Sequence, residues 1–372
     1  MKIATITCHD VYNYGASLQA YALQEYCRLL GHDYIIIDYK PPYLSNHYKL
    51  NAIGNSKYDK PFIRQAYLLA KFPGRLVALK RKNRFDKFTS QYLCVSEERF
   101  HSNEQLKESI KADKFYADIY IAGSDQIWNT FFNNGRDASF YLDFVGDNGR
   151  KISYAASFAT DKIYNNAKNF VKTELGNFDA ISVRESSALA LLSALGYNDA
   201  TLVCDPVFLL DEASWRNLAR DVIVPNKEYI LVYDCERSER LGCIAQELRK
   251  QTNLQIYTIS STFGRYANRN YSNSGPLEFL ALIANARYVL ANSFHALAFS
   301  MIFKKDFFIV NRTEKINTRM RDFLAFVNLD DRLIDNPNQV NTRNIDFNAS
   351  TSRLEELINT SEEYLKAQIM LS

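Results

Sequence analysis

Tyr288-Val289-Leu290-Ala291-Asn292-Ser293-Phe294-His295-Ala296-Leu297-Ala298-Phe299-Ser300 is the stretch that decides the fold. Four apolar residues without polar alternation, 288–291, read as a strand buried on both faces, the habit of parallel sheets. Asn292 and Ser293 follow as the entry to a helix over 295–303. A strand that passes so directly into a helix is half of a β-α-β unit, whose crossover must return the chain to the same sheet. The same junction sets Asn292, Ser293 and His295 beside free backbone N–H groups and the positive end of a helix dipole, where a phosphate or carboxylate is favoured.

Outward from this junction the alternation continues. Residues 229–233, 255–259 and 307–310 read as further strands, and 239–251 and 277–285 as helices, the latter opened by Ser274-Gly275-Pro276 with Glu278 in its first turn. An earlier series has strands at 3–7, 34–38, 118–122, 152–156, 180–183 and 201–204, with helices at 18–30 and 187–195. Residues 210–226, with Pro225 and no strand pattern, separate the two series. The expectation is an α/β chain of two Rossmann-like domains in tandem, 1–220 and 221–340. The segment 341–372 is read as a helix opened by the capping box Ser352-x-x-Glu355 and packing back on the N-terminal domain.

The composition bounds the function. With 372 residues, 47% hydrophobic and 23% charged, the chain has the apolar content for two cores, and disorder is excluded as its main state. Lys and Arg total 45 against 42 Asp and Glu, so no overall field points to nucleic acid. The six cysteines are scattered without a C-x-x-C pair, which suggests neither zinc nor a disulfide framework and reads as buried thiols in a reducing compartment. No His/Asp/Glu cluster has the spacing of metal ligands. The first strand is too short for the apolar core of a signal peptide, and the apolar run 277–303 is interrupted by Glu278, Arg287 and His295; both features suggest a cytoplasmic protein. One segment breaks the balance: 60–87 holds nine basic residues and one acid, Asp86, interleaved with apolar residues as in one or two amphipathic helices broken at Pro73-Gly74. It suits either a peripheral contact with anionic lipid or a solvated helix pair on the first domain.

Two more segments place polar residues where strands end. Thr7-Cys8-His9-Asp10-Val11-Tyr12-Asn13-Tyr14-Gly15-Ala16-Ser17-Leu18-Gln19 enters a helix, and Gly15 with Ala16 would let a ligand approach the backbone. Ile121-Ala122-Gly123-Ser124-Asp125-Gln126-Ile127-Trp128-Asn129 gathers hydrogen-bonding side chains and one indole. That density suits sugar recognition, or alternatively an Asx turn with Trp128 in the core. His295 could act as a general acid or hold a phosphate, and Arg312, Asn317, Arg319 and Arg321 follow it closely enough to complete an anion site. Arg184 is another cation leaving a strand, its plainer reading a surface pair with Glu185 or Asp179.

Taken together, the chain resembles the polysaccharide pyruvyl transferase family. The resemblance rests on the segment from Asn13 to Leu23, on Gly123-Ser124-Asp125-Gln126-Ile127-Trp128-Asn129, and on Ser182-Val183-Arg184-Glu185 and Asp205-Pro206. It continues through Glu278-Phe279-Leu280, the segment from Asn292 to Ser300, and Asn317-Thr318-Arg319, in family order. One departure is Ala296, where the family usually has Gly; it is expected to narrow the space over the helix N-terminus. The resemblance implies a two-domain fold similar to the glycosyltransferase B type, with the site in the cleft. It implies phosphoenolpyruvate as donor substrate, no cofactor, and a saccharide diol as acceptor, lipid-linked or free, giving a pyruvate ketal and phosphate. On that basis His295 is expected to be the acid or phosphate ligand, with Arg184, Ser293, Arg312, Asn317 and Arg319 around the donor. Asp125 is expected to orient or deprotonate the acceptor, with Asn13, Gly15, Ser124, Gln126 and Trp128 lining its pocket and Asp205 as a reserve base. Two other readings stay open: a nucleotide-sugar glycosyltransferase, in which Glu278 would contact the nucleoside, and a non-catalytic glycan- or phosphate-binding relative, which Ala296 favours.

Overall fold

In the computed structural model the described residues are 1–44, 60, 63–147, 149–259, 264–313 and 317–371. The first half runs β1 (Lys2–Ile6), α1 (Tyr14–Leu29), β2 (Asp33–Tyr39), α2 (Ile63–Tyr92), β3 (Val95–Phe100), α3 (Asn103–Lys111), β4 (Ile119–Ala122) and β5 (Arg150–Ser153). It continues through α4 (Lys168–Leu175), β6 (Ser182–Val183), α5 (Ser186–Leu195), β7 (Thr201–Leu202) and α6 (Glu212–Leu218). The second half is β8 (Tyr229–Tyr233), α7 (Glu239–Thr252), β9 (Gln255–Ile259), β10 (Arg269–Asn270), α8 (Pro276–Asn285), β11 (Tyr288–Ala291), α9 (Phe294–Ile302) and β12 (Asp306–Ile309). α10 (Thr318–Phe326) and α11 (Phe347–Met370) complete the chain.

All strand pairs are parallel, and the two five-stranded sheets have one topology, β3-β2-β1-β4-β5 and β10-β9-β8-β11-β12. The halves thus repeat a fold although no repeat is visible in the sequence. What they share is the pattern of short apolar strands and crossover helices. In each sheet the strand order reverses beside the first strand, between β1 and β4 and between β8 and β11. A crevice opens at the carboxyl ends of such strands.

The strands expected at 229–233, 255–259 and 288–291 coincide with β8, β9 and β11. β3 carries exposed Glu97, Glu98 and Arg99 and has no apolar run; as a charged edge strand it lacks the pattern of the central ones. Residues 210–226, expected as the boundary between the series and without a strand, contain α6, whose fully buried Trp215 packs on Tyr21 of α1 and edge-on to Phe299 of α9, so the junction is part of the core. Two further expectations are corrected. Helix α2 is continuous through Pro73-Gly74; a proline removes one amide donor, and the later turns are held by buried Phe85 and Phe88. Phe62 and the side chains of Lys71, Arg75 and Val77 lie outside the described residues. Helix α11 begins at Phe347, because Asp346 accepts from Asn348 N at 3.0 Å and caps it before Ser352 is reached.

Helix α11 lies against the first half. Tyr364 Oη donates to Ser153 O at 3.1 Å, Cys204 N donates to Ser361 Oγ at 2.7 Å, and Arg150 donates to Gln368 at 2.6 Å. One apolar cluster runs through both halves, from Ile3, Tyr14 and Leu18 to Phe279, Ala296 and Phe299. Among the described residues no helix is long and apolar enough to cross a membrane. Cys8, Cys27 and Cys204 are buried as expected, but Cys235 and Cys243 are exposed, on the loop after β8 and on α7.

Candidate functional site

The carboxyl ends of β1, β4, β6 and β7 meet the start of α9 across the cleft, and they deliver a buried cluster of charge. Arg184, after β6, lies at its centre with a fully buried side chain. Its Nη1 pairs with Asp205 Oδ2 and donates to Ser124 Oγ at 3.2 Å, its Nη2 donates to Asp125 Oδ1 at 3.2 Å, and its Nε is 3.9 Å from Glu185. His295 Nε2 stands 3.5 Å from Asp205 Oδ2, and Arg319 Nη1 stands 3.8 Å from Asp125 Oδ1. The guanidinium groups of Arg184 and Arg319 also lie 5.1 Å and 5.8 Å from the centre of the Phe294 ring.

These proximities set the protonation states. Burial acts to raise the Asp205 carboxyl, but Arg184 and His295 overcome it and hold Asp205 well below the usual carboxylate range. Asp125 is likewise lowered against burial by Arg184, His295 and Arg319, and its side chain retains 16% exposure toward the cleft. Burial pushes Glu185 up; Arg184 and bonds from Ser157 Oγ and the Phe158 and Ala159 amides, each 2.9 Å, oppose it only in part. Burial and the neighbouring Arg184 lower Arg319. At neutral pH Asp125 and Asp205 are therefore ionised, and His295 Nε2 is a buried nitrogen that faces the Asp205 carboxylate at 3.5 Å. An imidazole backed by a carboxylate, with a second carboxylate facing the cleft, can move a proton in either direction.

Gly15 explains how His295 is placed. A Cβ there would lie 1.9 Å from His295 Nδ1 and 2.1 Å from Cγ, so the ring rests directly on the first turn of α1, which belongs to the other half of the chain. Asn13 is the N-cap of that helix, accepting from Gly15 N at 3.0 Å and Ala16 N at 3.3 Å. Asp125 adopts a left-handed backbone, φ 78°, which Asp tolerates better than most residues and which re-aims its carboxylate after β4.

The expected site residues divide into groups. Ser124, Asp125, Arg184, Asp205, His295 and Arg319 come together as described. Arg184 and Asp205 are sealed from solvent, so they organise the site from behind and do not face a substrate. Ser293 is half-buried at the N-cap of α9, and its hydroxyl makes no cap bond. Arg312 and Asn317 are joined reciprocally, Arg312 N to Asn317 Oδ1 at 2.8 Å and Asn317 Nδ2 to Arg312 O at 2.9 Å. Arg312 thereby faces a separate part of the cleft, 3.7 Å from Glu236, and Arg321 pairs outside the cluster with Asp322. Gln126 accepts from Asn129 Nδ2 at 3.1 Å within its own turn.

Trp128 is corrected: it is fully buried, stacked on Tyr141 with its indole N–H on Phe140 O, because the apolar half of its loop faces the core. Tyr12 and Tyr14 are also buried; Tyr14 stacks on Phe279 at 4.7 Å. Glu278 serves the fold: it accepts from Gly275 N at 2.7 Å, capping α8, and pairs with Arg84. Ala296 lies at 0% exposure within the core, so its methyl group points away from the cleft. Glu185 is not the surface partner expected for Arg184 but part of the buried cluster.

The other wall of the cleft joins two expected residues, Asn13 and Arg312, to others that sequence reading did not name. A cavity of about 240 Å³ is lined by Asn13, Tyr14 and Arg81 from one half and by Tyr233, Asp234, Cys235 and Arg312 from the other. Arg81 Nη2 donates to Tyr12 O at 3.1 Å. Nothing in the basic run 60–87 distinguishes this residue from its neighbours; only its register with Phe85, one turn later on the same face, hints that it turns inward. Among the described residues no group of three or more His, Cys, Asp or Glu is arranged to hold a metal ion.

The family described as polysaccharide pyruvyl transferase matches residues 13–314 of the chain. No curated protein matches. Among solved structures, UDP-GlcNAc 2-epimerase from Neisseria meningitidis bound to UDP-GlcNAc is 10% identical, with all of both chains covered and a TM-score of 0.55. UDP-GlcNAc 2-epimerase from Methanocaldococcus jannaschii is 12% identical over all of both chains, TM-score 0.50. S. aureus MnaA with UDP is 12% identical over 97% of this chain and 91% of its own, TM-score 0.51. At these identities the likeness is one of fold: α/β with parallel sheets, of the glycosyltransferase B type.

Proposed function

The chain belongs to the polysaccharide pyruvyl transferase family, and from that premise we propose that it moves the pyruvyl group of phosphoenolpyruvate onto two hydroxyls of a saccharide, forming a cyclic ketal and releasing phosphate. The observation that carries the reading is the buried His295–Asp205 pair, with imidazole Nε2 3.5 Å from an ionised carboxylate, set beside Asp125 and Arg319.

The chemistry asks for one proton on the vinyl carbon, one on the departing phosphate, and the removal of two hydroxyl protons from the acceptor. His295, oriented by Asp205 at Nε2, passes a proton from the other side of its ring to the methylene carbon and leaves an oxocarbenium centre at C2. The first hydroxyl adds to C2 as Asp125 takes its proton. The C2–O bond to phosphate then breaks, phosphate leaves with the proton that Asp125 took, and the second hydroxyl adds to C2. Its proton returns to His295, so the protons balance. The donor's two anionic groups require cations: Arg319, the start of α9 with Ser293, and the Arg81 and Arg312 wall supply them from the protein.

Release of phosphate from phosphoenolpyruvate, measured across glycosides with different diol geometries and confirmed by the ketal methyl resonance, tests the reaction. His295→Ala is expected to lower turnover by about a hundredfold or more. Turnover within a few-fold of wild type would remove His295 from the mechanism. The expectations of cytoplasmic location and of membrane contact through 60–87 are kept as part of this proposal. In that segment Arg81, Lys82 and Arg84 are engaged by Tyr12 O, Asp86 and Glu278, while Leu69, Phe72 and Leu76 are exposed.

A further inference from the structure

The connection from β4 to β5 wraps over the carboxyl ends of β2 and β3, and between them lies an open groove of about 600 Å³. On one bank, Tyr39 and Tyr43 both donate their phenol hydrogens to Asp137 Oδ2, at 2.6 Å and 2.5 Å, which fixes two rings side by side. Tyr43 remains 38% exposed. Arg136 lines the groove, and its guanidinium lies 5.6 Å from the ring centre of Tyr164, which meets Phe131 at 6.0 Å; these two rings, outside the groove lining, are 42% and 51% exposed.

Large rings left in water around a polar groove mark a binding surface. Rigid ring faces pack on the C–H faces of pyranoses, while the exposed Asn133 amide suits their hydroxyls. The groove's formal charges are mixed, Glu104 and Asp137 against Arg136, which disfavours a phosphorylated ligand and suits a neutral sugar.

The groove is anchored to the loop of Asp125. Asn134 Nδ2 donates to the carbonyl of Gln126, the residue after Asp125. Gly135 lies flat on Asn129, where a Cβ would come within 2.3 Å of the Asn129 carbonyl oxygen. The buried Cys8 thiol, raised by burial, is raised further by the charges of both Asp125 and Asp137.

We propose that this groove is an acceptor subsite that holds neutral sugar residues of a longer saccharide, leading away from the residue whose diol reacts at Asp125. The inference rests on the pyruvyl-transfer reading for the identity of the reacting end. Its test does not: the full-length chain is applied to an array of neutral oligosaccharides, from monosaccharides to hexasaccharides, without phosphoenolpyruvate. Retention is expected to grow with length, and Tyr43→Ala and Phe131→Ala each to weaken it by roughly fivefold with an unchanged thermal midpoint. Tyr43→Phe, which keeps the ring, is expected to lie between. Equal retention by wild type and the two alanine variants, or no retention of any oligosaccharide by wild type, would overturn the subsite. Intact array binding without phosphate release would instead sink the ketal chemistry and leave the groove standing.

Discussion

At the scale of single residues, the candidate site is a balance of opposite shifts on neighbouring carboxylates. Asp205 is held below its ordinary 3.8 by Arg184 and His295 against the pull of burial, and Glu185 is raised above 4.5 by burial. The signs of their contributions to stability differ. A depressed carboxylate stabilises the fold fully above its unfolded pKa and loses that contribution as pH falls toward the folded value. A raised one stabilises below its unfolded pKa and loses the contribution as pH rises through the folded value. Wild type is therefore expected to lose stability steeply below about pH 4, and Asp205→Asn to show a shallower acid limb. At pH 7 the same variant should be less stable by about 3–5 kcal/mol, because it strands Arg184 in the interior. Urea midpoints measured from pH 7 to pH 3 check both statements, and parallel acid limbs in the two proteins would count against the pair. Little of this was legible in advance. Arg184, Asp205 and His295 stood out as residue types at strand ends, but their partners come from loops distant in sequence, and only folding shows that Arg184 faces inward.

At the scale of elements, helix α1 shows how one residue can serve structure and site together. Asn13 caps the helix through two amide bonds, and the turn it caps supports His295 at Gly15. Asn13→Ala is expected to cost about 1 kcal/mol, the usual value of a lost N-cap, readable as a lower thermal midpoint. Asn13→Asp keeps the cap geometry but adds a negative charge at the rim of the cleft cavity. It should unfold like wild type yet raise the KM for phosphoenolpyruvate, whereas an unchanged KM would confine Asn13 to a structural role. The central strands were readable because burial on both faces forces continuous apolar runs, as in β8, β9 and β11, whereas the short helices α3, α4, α6 and α10 were not read. Edge strand β3 was not, since its outer residues answer to solvent, and the early start of α11 was hidden because Asp346 competes with a second good capping pattern at Ser352. Trp128 illustrates the same limit: an indole beside Asp125 can face ligand or core, and the sequence leaves both open.

At the scale of the whole molecule, the two halves share a core and do not merely touch. Tyr14 of α1 stacks on Phe279 of α8 with planes 4° apart, donates to Ser274 O at 3.1 Å, and is 1% exposed. Asp322 of α10 accepts from Ser187 N at the start of α5, and Trp215 packs on α1 and α9 together. The tandem α/β plan followed from strand–helix alternation, but this coupling could not, because Tyr14 reads as part of a ligand loop until Phe279 is seen against it. A cleft that closes on Gly15 and His295 needs the halves in fixed register, so unfolding should be one cooperative event in wild type. Tyr14→Ala removes a buried ring, a change of about 3–5 kcal/mol, at the boundary and not within either sheet. It is expected to split the calorimetric transition in two and to lower turnover, while Tyr14→Phe, which keeps the ring and loses the bond to Ser274, keeps a single transition at a slightly lower temperature. A single transition in Tyr14→Ala, merely shifted down, would mean that α6, α10 and α11 suffice to hold the halves together and that the stacked pair is one contact among many.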